Sequence, residues 1–299
     1  MRKFLYLILF TIAWLHTPVA TAITAGIRID QEATTKTGGY TVTDAQMQQW
    51  FFRPKLTTGM SHLKYEETDL DFKWSDNLPF VGIGATMYYG KLSGELYAQI
   101  SDKGQADYFT SARFGSSTYT TVYDVDFKRT EYSALLSYEI FNNISIFGSY
   151  KVAELEVNRI DTQQVSRDNE TTGTVYDPLT RKKSYTNFKT KGPALGIAYS
   201  YHISDDVGLG VSFAYGWLNG TRKQDNVASE PQPTTAQAYG INFTHRLPQH
   251  HLKYILALEN YGYSMDVNED VKGVNGIVTK TFQITEDVTS FKATLVWEF

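Results

Sequence analysis

The chain has 299 residues, with 28 lysines and arginines against 32 aspartates and glutamates, and its formal net charge is −4. This mildly acidic balance gives no reason to expect a nucleic-acid partner. Because the chain has no cysteine, disulfides, thiolate metal sites and cysteine nucleophiles are excluded.

The N-terminal residues predict a secretory signal peptide. Two positive charges, Arg2 and Lys3, precede an apolar run over 4–14, and the small residues Ala20 and Ala22 stand at the two positions that a signal peptidase reads. The apolar run is about half the ~20 residues that a membrane-spanning helix needs. We therefore expect cleavage after Ala22 rather than an N-terminal anchor.

The division into domains follows from this cleavage site. Residues 1–22 are the signal peptide, and residues 23–299 are expected to form one domain. No later apolar run is long enough for a membrane-spanning helix, which argues against a helical inner-membrane protein.

The rest of the chain alternates apolar residues with polar or small ones, which is the period of a β-strand. Over 207–217 the alternation is strict for eleven residues, about the length of a tilted strand that crosses a bilayer. The segment 32–67 alternates poorly. In chain order, the predicted strands are 23–30, a strand ending at Trp74, 81–89, 131–140, 144–152, 192–203, 207–217, 239–247, 252–259 and 290–299.

The connections between these strands alternate in length. Short polar turns are predicted at 75–79, 141–143, 204–206 and 248–250, and long polar segments at 102–128, 158–190, 219–236 and 267–288. A soluble β-sandwich also has alternating strands, but it has no reason to alternate its turns in this way. Short periplasmic turns and long extracellular loops are typical of outer-membrane barrels.

The last strand carries a further signal. Apolar residues alternate up to Trp297 and Phe299, and this end resembles the C-terminal signature of bacterial outer-membrane proteins. The resemblance implies that the barrel-assembly machinery recognises Trp297 and Phe299 and that the protein is integral to the outer membrane. The sequence therefore predicts an all-β fold, a transmembrane antiparallel up-and-down β-barrel, with ten strands and with eight or twelve as alternatives.

Aromatic side chains are expected in two belts at the ends of the apolar band. The belt near the short turns is predicted to hold Trp74, Tyr138, Tyr199, Tyr201, Tyr254, Trp297 and Phe299. The belt near the long loops is predicted to hold Tyr89, Tyr132, Tyr150, Tyr215, Trp217, Tyr239 and Phe291.

The inward face combines small residues with charged ones, and Asp69, Asp71 and Lys73 are also placed there. An unpaired buried charge is costly, so we expect pairs across neighbouring strands, such as Glu259 with Lys292 and Arg246 with Glu298. Either the charges pair and seal the interior, or they line a narrow pore. The candidate lumen-lining charges are Glu131, Glu139, Lys151, Arg246, Lys253, Glu259, Lys292 and Glu298.

In length, hairpin layout and tall extracellular strands the chain resembles the omptin proteases. This resemblance implies catalysis by an Asp pair and an Asp-x-His pair near the outer rim. Asp69 and Asp71 have the spacing of the first pair, but they are expected near the periplasmic turn at 75–79, and no Asp-x-His occurs in the sequence. Omptin-type proteolysis is therefore not expected.

Other catalytic and metal sites are also not expected. Ser61 and His62 are adjacent, so their side chains point to opposite faces of a strand and cannot form a Ser–His dyad. His250 and His251 have no further ligand at metal-site spacing. The sequence indicates no catalytic, metal or cofactor site.

Two functions remain. The favoured one is a structural or surface-interaction role through the extracellular loops, and the alternative is a small passive porin for solutes or ions. A protease or lipid-modifying enzyme is a distant third. The basic cluster Arg181, Lys182 and Lys183, in the longest loop, is expected to contact lipopolysaccharide phosphates.

Overall fold

A computed structural model describes residues 50–68, 72–114, 117–141, 143–169, 173–175, 183–224, 227–229, 231–273 and 276–298. The strands are β1 (Phe51–Glu67), β2 (Phe72–Tyr89), β3 (Leu92–Ser101), β4 (Gly104–Phe114), β5 (Ser117–Phe141), β6 (Ile144–Asn169), β7 (Gly173–Val175), β8 (Lys183–His202), β9 (Val207–Gln224), β10 (Val227–Ala228), β11 (Gln232–Leu247), β12 (Leu252–Gly273) and β13 (Gly276–Trp297). None of the helices formed by these residues has the length and apolarity to cross a membrane.

Antiparallel pairing closes the strands into a ring of ten. The order around the ring is β1, β2, β3, β5, β6, β8, β9, β11, β12 and β13. β13 closes the ring on β1 through a ladder from Lys55↔Val296 to Glu67↔Ile284. β4 continues β3 after a short break, because both pair with β5. The predicted ten-stranded antiparallel barrel is confirmed.

The distribution of side chains is inverted relative to a water-soluble protein. Large apolar residues lie exposed on the outer surface, while charged residues are buried inside. This is the pattern of a barrel whose outer surface faces lipid. The outward apolar residues include Val81, Ile83, Leu96, Leu136, Ile146, Leu195, Val211, Ile241, Leu258 and Phe291.

The first predicted turn is wrong. β2 runs without interruption through 75–79, and the short turn lies at Gly90 and Lys91 instead. In this half of β2 the outward residues Ser75 and Asn77 are polar while Leu78 is buried. A polar outer face above the lipid band therefore looks like a turn in the sequence.

Three placements change with this turn. Tyr89 lies beside Gly90, at the short-turn end rather than the long-loop end. Trp74 is buried inside the barrel and does not belong to an outer belt, while Lys73 is exposed rather than inward. The error at Tyr89 follows from the reversed direction of β2, whereas Trp74 and Lys73 were assigned to the wrong faces of the strand.

The first strand is also different from the prediction. The count of ten is reached with β1, over Phe51–Glu67, and with the β3–β4 strand. The predicted strand 23–30 and the signal peptide, with Ala20 and Ala22, lie outside the described residues.

Long strand extensions replace much of the predicted loops. The segment 102–128 is almost entirely strand, and β6 continues to Asn169. β12 and β13 remain paired up to Gly273↔Gly276, although the ladder of β12 with β11 ends at Thr235↔Ser264 and the ladder of β13 with β1 ends at Glu67↔Ile284. The β12–β13 hairpin therefore projects beyond both of its neighbours.

Candidate functional site

The interior of the barrel is the candidate site, and its charges are layered along the axis. At the short-turn end, Glu298 Oε2 accepts a hydrogen bond from Arg246 Nε at 3.1 Å, and Glu298 Oε1 forms an ion pair with Arg53 at 3.1 Å. Arg53 lies on β1 and Arg246 on β11, so this triad connects the two sides of the last strand. The expected Arg246–Glu298 pair is present.

The next layer contains a lysine–glutamate pair and a small cavity. Lys55 Nζ lies 2.5 Å from Glu95 Oε1 and 5.0 Å from the ring centroid of Tyr97. Beside this pair is a cavity of about 50 Å³, which Lys253 and Lys292 also line. The volume is that of one or two water molecules.

Lys292 and Glu259 form the other expected pair. Lys292 Nζ lies 2.6 Å from Glu259 Oε2, and the two side chains are 4% and 3% exposed. They lie on β13 and β12 at diagonal positions, since Lys292 is opposite Ala257 and Glu259 is opposite Ser290. Charges this deeply buried are stabilised only when they are paired.

A second buried cluster lies farther from the short turns. Arg129 donates to Glu131 Oε1 at 2.6 Å and also pairs with Glu286. Lys151 Nζ lies 3.2 Å from Glu131 Oε2, and the Tyr263 hydroxyl donates to Glu286 at 3.0 Å. Arg129 is on β5 and Glu286 on β13, four places apart in the ring, so this pair crosses the lumen.

Apolar side chains fill the lumen beyond this cluster, and we call them the outer plug. Tyr65 on β1 and Phe188 on β8 meet with ring centroids 4.9 Å apart. Trp74 stacks on Phe127 at 4.0 Å. The plug consists of Leu63, Tyr65, Trp74, Leu78, Val125, Phe127, Leu155, Val157, Phe188, Leu218, Tyr263, Met265, Val267, Ile284 and Val288.

One ion pair is embedded in the outer plug. Arg222 Nε lies 3.7 Å from Glu67 Oε1, and the Tyr65 hydroxyl donates to the same oxygen at 2.6 Å. Burial and the Glu67 carboxylate raise the pKa of the Tyr65 phenol well above its usual range. The phenol therefore stays protonated and remains a donor. The exposed neighbours Lys64 and Glu66 place this part of β1 beyond the apolar outer band.

The predicted lumen-lining charges lie on inward positions. All are buried except Arg246, which is partly exposed. Five inward charges of the same layers were not predicted: Arg53, Lys55, Glu95, Arg129 and Glu286. Arg53 and Lys55 lie in the weakly alternating segment 32–67 and Glu286 lies in a predicted loop. Glu95 and Arg129 lie outside the predicted strands, although Arg129 and Glu131 have the alternate spacing of one strand face.

The other predicted sites fall partly outside the described residues. Arg181, Lys182 and Phe299 are not described, and nothing can be said of the Lys183 side chain at the start of β8. Trp297 is the last residue of β13 and pairs with Leu252.

The residues considered for catalysis do not meet in one place. Asp69 and Asp71, which were expected near a periplasmic turn, lie outside the described residues. The predicted turn at 75–79 on which that expectation rested lies within β2 (Phe72–Tyr89). Ser61 is buried inside, whereas His62 faces outward with Nδ1 3.2 Å from Asn77 Oδ1. Among the described residues, no group of three or more His, Cys, Asp or Glu side chains could hold a metal ion.

Comparison with solved structures supports the architecture. The chain is similar to the outer membrane protease OmpT from Escherichia coli, with a TM-score of 0.60 and 11% identity over 83% of this chain and 97% of that chain. The translocator domain of the autotransporter NalP from Neisseria meningitidis matches with a TM-score of 0.46 and 9% identity, over 83% of this chain and 88% of that one. No family model and no curated protein matches the chain.

At this identity the likeness to OmpT shows the fold alone. Together with the closed ring and the apolar outer surface, it shows that the chain has the fold of an outer-membrane β-barrel.

Proposed function

We propose that this outer-membrane barrel does not conduct and that it acts through the surface of its extracellular strand extensions. The observation that carries the proposal is the set of contacts across the lumen. Tyr65 meets Phe188, Arg129 meets Glu286, and Arg222 meets Glu67, and each pair joins strands four or five places apart in the ring. All three contacts would have to break before a continuous water-filled path could run through the lumen.

The barrel size agrees with this proposal. Barrels of 16–18 strands leave an aqueous channel, whereas a barrel of about eight strands has an interior just wide enough for side chains to fill. The ten-stranded ring lies near the small end of this range, and the cavity between Lys55 and Lys292 in its interior has a volume of only about 50 Å³.

The projecting β12–β13 hairpin supports the surface role. Beyond Ser264 and Ile284 the hairpin forms no ladder with the described residues of β11 or β1, and we infer that its outer edges pair with a partner. Exposed strand edges are templates for pairing with another chain. A role in binding needs no catalytic group, and we assign none.

Planar-bilayer conductance of the refolded chain tests the proposal. We expect a silent membrane at protein levels that give complete folding by heat-dependent gel shift. Steady conductance steps that change with charge reversal at Lys292 or Glu259 would overturn the proposal in favour of a small porin.

A trimmed chain tests the surface role separately. Replacing residues 269–280 by Asn-Gly joins Asn268 to Thr281, which are already opposite each other and hydrogen-bonded at 2.7 Å. We expect cells expressing the full chain to aggregate, and cells expressing the trimmed chain, which should fold unchanged, to remain dispersed. Equal sedimentation of cells with full chain, trimmed chain and empty vector would contradict a surface role in binding between copies of this hairpin.

A further inference from the structure

The lipid-facing wall over β2, β3, β5 and β6 contains a groove of about 590 Å³, a volume typical of ligand sites. The strand register explains how it forms. One row across these strands reads Ala85, Leu96, Ala134 and Tyr150. The adjacent row reads Ile83, Ala98, Tyr132 and Val152.

Small and large residues therefore alternate in both directions on this wall. The three alanines Ala85, Ala98 and Ala134 form a continuous floor, because residues in adjacent rows are diagonal neighbours. The rings of Tyr132 and Tyr150, 55% and 47% exposed, stand above this floor. Such a groove is narrow and apolar, and it opens toward lipid.

Two lysines lie beside one end of the groove. Val152, which lines the groove, is opposite Lys191 on β8, and Glu154 is opposite Lys189. Neighbouring strands are about 4.8 Å apart, so both lysines are within side-chain reach of the groove end. Lys191 is exposed and makes no ion pair with another described residue.

The ion pair of Lys189 leaves this lysine accessible. Its Nζ lies 3.8 Å from Glu154 Oε2, and the two side chains are 47% and 32% exposed. Asn187 donates a hydrogen bond to the other Glu154 oxygen at 2.5 Å. An ion pair this long and exposed contributes little, so Lys189 can turn to an anion while Glu154 keeps a partner.

We propose that this groove holds one acyl chain of a phosphate-bearing lipid of the outer leaflet, with the lipid phosphate bound by Lys189 and Lys191. The apolar groove and the cationic end match the two parts of such a lipid. A second copy of the chain would need a broad complementary surface rather than a groove one side chain wide. This inference is independent of whether the lumen conducts.

Native mass spectrometry of the refolded chain in detergent tests the proposal, with bisphosphorylated lipid A as the probe. The wild-type chain is expected to retain one lipid A molecule. The same lipid without phosphates should bind at least about tenfold more weakly, since each lysine near the headgroups contributes a separate attraction. Inorganic phosphate alone should not bind.

Two sets of variants separate the parts of the site. Ala98→Phe fills the groove floor and should weaken lipid A and its phosphate-free form alike. The double variant Lys189→Gln, Lys191→Gln should weaken lipid A about tenfold and leave the phosphate-free lipid unchanged. Ala134→Leu replaces Ala98→Phe if that variant fails the heat-dependent gel shift.

The controls change the same residue types elsewhere on the outer surface. Ala293→Phe on β13 and Lys64→Gln on β1 should bind lipid A like the wild type. Equal binding by all variants would overturn the proposal. So would binding of inorganic phosphate as strong as that of lipid A, or disulfide-linked dimers of Ala98→Cys in membranes, which would indicate a second copy in the groove.

Discussion

Tyr65 and Phe188 meet at the centre of the barrel with ring centroids 4.9 Å apart, although their strands are five places apart in a ring of ten. The contact joins opposite walls. It crosses the lumen within the outer plug, at a level where the outer face of β1 carries Lys64 and Glu66.

Removing one ring of this contact should destabilise the barrel strongly. Phe188→Ala leaves a cavity among buried side chains, and we expect a loss of about 3–5 kcal/mol in the free energy of unfolding. Urea unfolding in detergent, followed by gel shift, measures it. The lipid-facing Phe213→Ala is the control and should lose much less; equal losses would show that the plug is not a packed core.

The Lys292–Glu259 pair predicts the effect of charge reversal. Lys292→Glu places two carboxylates together in a site that is less than 5% exposed, and breaking a buried pair costs about 3–5 kcal/mol. We expect reduced stability without conductance.

The swapped double variant Lys292→Glu, Glu259→Lys keeps opposite charges and should recover part of this loss. Lys64→Glu on the exposed outer face is the matched control and should be nearly neutral. A double variant no more stable than Lys292→Glu alone would contradict direct pairing.

Tryptophan fluorescence can distinguish the two sides of the wall. Trp74 is 7% exposed and lies in the outer plug, whereas Trp217 is 49% exposed on the outer surface. In single-tryptophan variants made by Trp→Phe changes, with Trp14, Trp50 and Trp297 also replaced, we expect lipids brominated on the acyl chain to quench Trp217 and not Trp74. Quenching of Trp74 would indicate that its side chain lies in the outer aromatic belt, as the sequence predicted, and not in the plug.

Gly192 is expected to tolerate no side chain. A Cβ there would lie 2.0 Å from the Trp217 carbonyl oxygen, at a point where the β8–β9 ladder is interrupted. Gly192→Ala should therefore cost about 1–3 kcal/mol of stability. Gly148→Ala, whose Cβ would meet only a Leu195 side-chain atom at 3.6 Å, should cost less; the reverse order in urea titrations would refute the close approach.

The sequence predicted the fold class well because lipid imposes a strict alternation on the strands that cross it. From β5 onward the short turns and the outward faces were correct, and so was the Glu259–Lys292 pair. Prediction failed where this constraint ends. Ser75 and Asn77 lie beyond the apolar band, so the outer face of β2 is polar and its strand looks like a turn.

The interior was harder to predict for a related reason. The alternation of residues along the strand shows that Arg129 and Glu131 share the inward face. It does not show which side chain of the opposite wall they contact. The Arg129–Glu286 pair spans 157 positions of the chain, and only the closed ring determines it. The groove over β2, β3, β5 and β6 likewise depends on the register between the strands. The positions of Ala85, Ala98 and Ala134 in the sequence do not show that register.

The contacts across the lumen also bear on the speed of folding. Tyr65–Phe188 and Arg129–Glu286 join residues far apart in sequence, so they can form only after most hairpins exist and β1 has met β13. A high mean sequence separation of contacts slows folding, because the entropy of loop closure is lost before the contacts form. The filled lumen therefore makes the last stage of assembly a concerted packing step, in which the barrel closes and loses its internal water together.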